Sequence, residues 1–202
     1  MATAESVAKA QPSEIDPFAL RRFSVTEYHK MIKAGILKPD DRVELLEGWI
    51  VKKMPQNPPH SSSVTRANRW LARVVPAHWT LRVPMPIALS DSEPEPDIVL
   101  ARGDAEHYDR RYSKPTDIGL LMEFADSTLL QDRSNKKILY AQARIAAFWL
   151  INLVERKLEV YTKPHAGTYR NIGEHVAKER IALVLDGVKI AEAFVHELMP
   201  KP

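Results

Sequence analysis

The sequence predicts one mixed α/β domain over residues 21–202, with a mixed central β-sheet flanked by helices. Three observations predict it. Residues 118–124 are predominantly apolar and short, the signature of a central strand buried on both faces. Residues 60–75 carry Val64, Ala67, Leu71 and Val74 at helical spacing, and Pro76 closes the segment. Several short apolar runs separated by turn residues supply further strands. A chain of 202 residues that is 45% apolar and 27% charged can bury one sizeable core, and two would be a squeeze.

Residues 1–20, rich in Ala, Ser, Glu and Pro without a sustained period, are expected to form a flexible leader. Ser24-Val25-Thr26-Glu27 reads as a capping box, with Phe23 and Tyr28 as its hydrophobic staple and Gly35 just past the end. A helix over about 25–34 follows. Val43–Leu46 and residues 49–51 flank Glu47-Gly48, a tight hairpin. Pro55, Pro58 and Pro59 break regular structure before the helix that opens at His60.

Strands are expected at 79–83, 87–89 and 97–100, and the polar, basic stretch 101–116 reads as a mobile loop. Asp132 is placed to cap a helix running to about Ala143. Residues 148–153 and 158–161 pair around Glu155-Arg156-Lys157. The rest reads as strands at 169–172 and 181–185, an Asp186-Gly187 turn and a last helix from about Ala191.

The chain has no cysteine, hence no disulfide framework and no thiolate metal site, in keeping with a cytoplasmic location. No apolar run approaches the roughly 20 residues needed to span a bilayer. The first residues also lack a secretory signal pattern. A net charge of +3 permits a polyanionic partner without demanding one. Local bias says more. Arg66, Arg69 and Arg73 recur at helical spacing, and Arg102, Arg110, Arg111 and Lys114 cluster in the 101–116 stretch. The ordinary account of such clusters is a solvated face; the functional one is contact with nucleic-acid phosphates.

The chemistry concentrates between Glu95 and Tyr140. Asp97 and Glu123 sit within apolar, strand-like segments, where an unpaired carboxylate is costly unless a cation or metal compensates it. Lys136 stands four residues after Asp132 and four before Tyr140, on one helical face. Two acids and a lysine in this order are the parts of a site that cleaves phosphodiesters with Mg2+ or Mn2+. A hard cation on two carboxylates activates water and offsets charge. The structural accounts are a buried acid paired to an arginine for Glu123 and a surface lysine for Lys136. Pro-Asp is common in turns, and a lone His60 is more often structural than a ligand.

The ordered set resembles the PD-(D/E)XK nuclease superfamily, and within it the Uma branch of restriction-endonuclease type. It comprises Val43-Glu44-Leu45-Leu46-Glu47-Gly48, His60 after a proline-rich turn, Glu95-Pro96-Asp97-Ile98-Val99 and Glu123-Phe124-Ala125-Asp126-Ser127. It continues through Asp132-Arg133, Lys136, Tyr140-Ala141 and Phe148-Trp149-Leu150-Ile151-Asn152. The resemblance runs from about Phe23 to the C-terminus, nearly the whole chain. It implies a restriction-endonuclease-like fold, Asp97 and Glu123 as metal ligands, Lys136 as the catalytic lysine, and Glu44, His60 and Tyr140 in support.

The sequence departs from the pattern in two places. Ala125 stands where the superfamily normally has its lysine, and the branch moves that lysine to the following helix, at Lys136 here. Residues 144–148 read Arg-Ile-Ala-Ala-Phe where the branch usually has Gly-Ile-Pro-Glu-Tyr. The expected function is therefore a Mg2+- or Mn2+-dependent endonuclease acting on DNA. A two-fold homodimer would suit cleavage of both strands. The competing readings are a non-catalytic nucleic-acid- or partner-binding module on the same fold, and a hydrolase of another phosphoester.

Overall fold

The computed structural model describes residues 20–126 and 132–201. The expected leader therefore lies outside the described residues, apart from Leu20. Helix α1 (Val25–Lys33) is started by Ser24, whose side chain accepts from Glu27 N while the Glu27 carboxylate accepts from Ser24 N, the expected capping box. Strands β1 (Val43–Leu46) and β2 (Trp49–Lys52) form the expected hairpin. Glu47 and Gly48 both take positive φ, 49° and 80°, the backbone of a two-residue turn that matches strand twist.

Helix α2 (Pro58–Val74) begins earlier than expected. Pro58 and Pro59 open the helix instead of preceding it, because the first turn needs no N–H from them, and Asn57 caps it by accepting from His60 N at 3.0 Å. Six strands follow in one sheet: β3 (Trp79–Arg82), β4 (Ile98–Arg102), β5 (Ile118–Ala125), β6 (Ala147–Asn152), β7 (Lys157–His165) and β8 (Thr168–Val176). They lie in the order β3-β4-β5-β6-β7-β8. The β5–β6 pair is parallel and the others are antiparallel, so the sheet is mixed as expected. Helix α3 (Lys137–Gln142), entered through a π-helical turn at Asp132–Lys136, makes the β5–β6 crossover. The capping role expected of the Asp132 side chain lies outside what is described.

Three expectations fail. Residues 87–89 form no strand, since Ile87 makes a single bridge to Ser113. The 101–116 stretch is not a loose loop. It contains a 3-10 turn at Ala105–Tyr108 and another at Pro115–Asp117, and it buries Tyr108 and Ser113. The last helix is instead a hairpin of β9 (Arg180–Leu185) and β10 (Val188–Phe194), followed by a 3-10 turn at Val195–Leu198. Asp186 and Gly187 carry φ of 52° and 78°, and this turn sends the chain straight back as a strand.

Alternation along β5 divides the core. Leu120, Met122 and Phe124 face Ala67 and Leu71 of α2, the β9–β10 hairpin and Leu198, whereas Leu121 and Ala125 face Leu139 and Tyr140 of α3. The sheet is thus covered on both faces, as a central strand buried throughout requires. Arg144 adopts φ of 59° between α3 and β6. The position where the branch usually has glycine therefore keeps a left-handed backbone with an arginine in it.

Candidate active site

The site forms where β4 begins and β5 ends. Asp97 immediately precedes β4, and Ile98 lies opposite Met122 across the β4–β5 pair. Continuing that register by one residue sets Asp97 beside Glu123. On their strands both share the alternation of Val99 and Leu121, the face covered by α3. Residues opposite one another in an antiparallel pair have Cβ atoms about 4.5–5.5 Å apart.

Each carboxylate is held by identifiable donors. Asp97 Oδ2 accepts from Phe124 N at 3.0 Å and lies 3.1 Å from His60 Nε2. Its Oδ1 has no hydrogen bond among the described residues. Glu123 Oε1 accepts from Tyr140 OH at 2.7 Å and from Lys136 Nζ at 3.0 Å. Lys136 Nζ also lies 3.6 Å from Glu44 Oε1, and Glu44 Oε2 accepts from Glu95 N at 3.0 Å. Glu44, Glu123 and Lys136 are 4%, 3% and 7% exposed, so the lysine sits as a buried cation between two buried acids. Buried charges are tolerated in such paired arrangements.

Asp97, Glu123, Lys136, Glu44 and His60 line one cleft of about 500 Å3. Tyr140 is fully buried behind Glu123. Tyr28 borders the same cleft; burial, reinforced by the carboxylates of Glu93, Glu44 and Glu95, pushes its phenol up to about 12. Tyr28 is therefore neutral near pH 7, a hydrogen-bonding group and no base.

The donor set is compatible with a hard divalent cation, since Asp97 and Glu123 offer carboxylate oxygens on one floor. Among the described residues, no three His, Asp or Glu side chains gather closely enough to cage a metal by themselves. Two carboxylates completed by water and substrate phosphate are the usual arrangement for Mg2+.

The expected basic clusters lie elsewhere. Arg66, Arg69 and Arg73 on α2 do not line the cleft, nor do Arg102, Arg110, Arg111 and Lys114. Arg102 is bound to Asp186 and stacks over Trp79, and Arg111 pairs with Asp117 at 2.6 Å. The basic side chains on the cleft wall are instead Lys38, Arg42, Lys52 and Lys53. The sequence shows them only as a Lys52-Lys53 pair and two isolated cations at Lys38 and Arg42. The available signal was their position on either side of the hairpin that delivers Glu44.

The profile of the Uma2 family, described as "Putative restriction endonuclease", matches residues 25–191. The chain belongs to the Uma2 family. A crystal structure of a putative nuclease of the DUF820 family from Anabaena variabilis superposes with a TM-score of 0.67 at 16% identity. The superposition covers 87% of this chain and 97% of that one, and it shows a shared fold. No curated protein matches the chain. The Uma2 match includes every residue of the cleft floor, from Glu44 to Lys136, and Tyr140 behind it. Among the described residues of this Uma2 protein, no helix is long and apolar enough to cross a membrane.

Proposed function

We propose that the chain is a divalent-metal-dependent endonuclease that hydrolyses phosphodiester bonds in cytoplasmic DNA. The observation that carries this reading is the meeting of Asp97, Glu123 and Lys136 in one cleft, with Lys136 Nζ 3.0 Å from Glu123 Oε1. Asp97 and Glu123 would hold Mg2+ or Mn2+. When bound, the ion supplies Lewis-acid polarisation of the phosphate and lowers the pKa of a coordinated water.

The chain's own residues do the rest. Phe124 N–H and the His60 ring fix Asp97, while Tyr140 OH fixes Glu123. Such outer partners set the orientation of ligating carboxylates. Two flanking carboxylates keep Lys136 protonated, so it serves as a donor that offsets negative charge gathering on the phosphoryl oxygens, and not as a base. Cutting both strands of a duplex would pair two such sites across a two-fold axis.

The test is cleavage of single-stranded, duplex and nicked DNA with and without Mg2+ or Mn2+, run beside Asp97→Asn. Metal-dependent cutting that disappears in Asp97→Asn is expected. DNA binding without cleavage under any metal would overturn the enzyme reading in favour of a binding module.

A further inference from the structure

We infer that the outer wall of the cleft, from the end of α1 through the β1–β2 hairpin, binds a polynucleotide strand whose bases are unpaired. The inference rests on the nuclease reading and adds the substrate's form.

Charge in the cleft is divided by depth. The carboxylates of Glu44, Asp97 and Glu123 lie buried on the floor, whereas Lys38, Arg42 and Lys52 are exposed on the wall. These three cations make no ion pair among the described residues, unlike Lys53, which lies 2.9 Å from Glu95. Asp40 and Asp41 lie between Lys38 and Arg42 in sequence but do not line the cleft, so the wall turns cations towards it and offers a polyanion favourable contacts above an acidic floor. The wall is also firmly built. Arg42 holds φ of 50°, uncommon for a residue with a side chain, and its carbonyl accepts from Lys53 N at 2.7 Å. Residues kept in such backbone states cluster at ligand-binding segments.

Two large apolar side chains share this wall. Ile32 is 45% exposed and Met54 is 53% exposed. A duplex shows a cleft wall its sugars and phosphates, with base faces stacked inside. Exposed apolar groups beside phosphate-binding cations suit splayed bases, which pack on side chains while the backbone follows the basic groove. Methionine, unbranched and adaptable, fits any of the four bases.

The test measures binding by the full chain carrying Asp97→Asn, in EDTA, to a fluorescent oligonucleotide as a single strand and as the matching duplex. Tighter binding of the single strand is expected. The triple substitution Lys38→Ser/Arg42→Ser/Lys52→Ser should weaken it by at least about tenfold and flatten the salt slope by about two, from three lost contacts. Met54→Ser should erase the preference for single strand, and a preference that survives it overturns the role given to the apolar wall. Undiminished binding in the triple variant overturns the inference. So does a preference for duplex, or loss of affinity only in Arg69→Ser/Arg73→Ser on α2. The two readings fail separately. Wall-dependent binding by a wild-type chain that never cuts would sink the nuclease and spare the wall. Cleavage by a chain whose wall variants bind normally would do the reverse.

Discussion

Lys136 reaches Glu123 across thirteen positions of sequence, its Nζ 3.0 Å from Oε1, although the superfamily's usual lysine position is occupied by Ala125. The π-helical turn at Asp132–Lys136 brings the side chain back over the end of β5, and Tyr140, one turn later, reaches the same oxygen. π-turns are rare and concentrate at functional sites. The charge is thus supplied from the crossover helix instead of the strand.

Lys136→Ala should cut the cleavage rate by about 10²–10³-fold, the typical cost of removing one donor to developing charge. Lys137→Ala is the control, because Lys137 Nζ lies 5.5 Å from the centre of the Tyr161 ring, outside the cleft. Breaking a buried ion pair also costs about 3–5 kcal/mol of stability. Rates should therefore be read at low temperature on protein shown to be folded by circular dichroism. Full activity in Lys136→Ala, or loss in Lys137→Ala instead, would reject the assignment.

Of the two floor carboxylates, His60 holds Asp97. With its Nε2 3.1 Å from Asp97 Oδ2 and its ring edge-on to Phe124, it holds the carboxylate from the α2 side. His60→Ala should weaken Mn2+ binding or activity by about 10–100-fold, the range seen for outer-shell partners. Calorimetric titration with Mn2+ together with cleavage rates checks this. Unchanged metal affinity and unchanged rates would make the contact purely structural.

Local chemistry made much of this legible beforehand. The Ser24 capping box, the Glu47-Gly48 turn and the buried 118–124 strand each follow from neighbours in sequence, and the structure has them. Asp97 and Glu123 could be picked out because a charge amid apolar residues is conspicuous at any range, whereas Lys136, set among polar neighbours, was marked only by its spacing to Asp132 and Tyr140 and by the family resemblance. What failed depended on distant partners. Whether 87–89 becomes a strand rests on finding a full-length neighbour, and only Ser113 is there. Residues from Ala191 alternate weakly, so the Asp186-Gly187 turn decided in favour of a hairpin. Arg102 looked free because its carboxylate, Asp186, lies far along the chain, whereas the partner of Arg111, Asp117, is only six residues away. Lys38, Arg42 and Lys52 form no run, and only the fold brings them together.

The opposite end of β5 offers a test of packing. A Cβ on Gly119 would stand 2.5 Å from the Trp79 ring and 3.1 Å from Leu185, both buried side chains. Gly119→Ala should therefore cost roughly 1–3 kcal/mol through overpacking, seen as a lower urea midpoint and altered Trp79 fluorescence. Cleavage by the folded fraction should persist, because Gly119 is at the far end of the strand from Glu123. An unchanged midpoint would mean that the indole has room to move.

A second buried charge cluster anchors the turn that delivers Lys136. Arg133, three residues before it, forks onto Glu159 of β7, which also accepts from Tyr161 OH and, at 3.4 Å, from Asn152 Nδ2. Burial pushes the Glu159 carboxyl up, but the hydrogen bonds from Arg133 and Tyr161 outweigh it and hold the group below its ordinary 4.5. A carboxylate depressed in the folded state contributes stability above its unfolded value and loses it as pH falls through the folded one. Wild type should therefore exceed Glu159→Gln in Tm at pH 7, with the gap closing below about pH 4.5 as both forms carry a neutral side chain. Arg133→Met should lower kcat with little change in KM, since it loosens the turn without touching the cleft wall. A Tm gap that persists unchanged into acid would remove Glu159's ionisation from the account. An Arg133→Met enzyme of normal kcat would show that the turn holds Lys136 without this anchor.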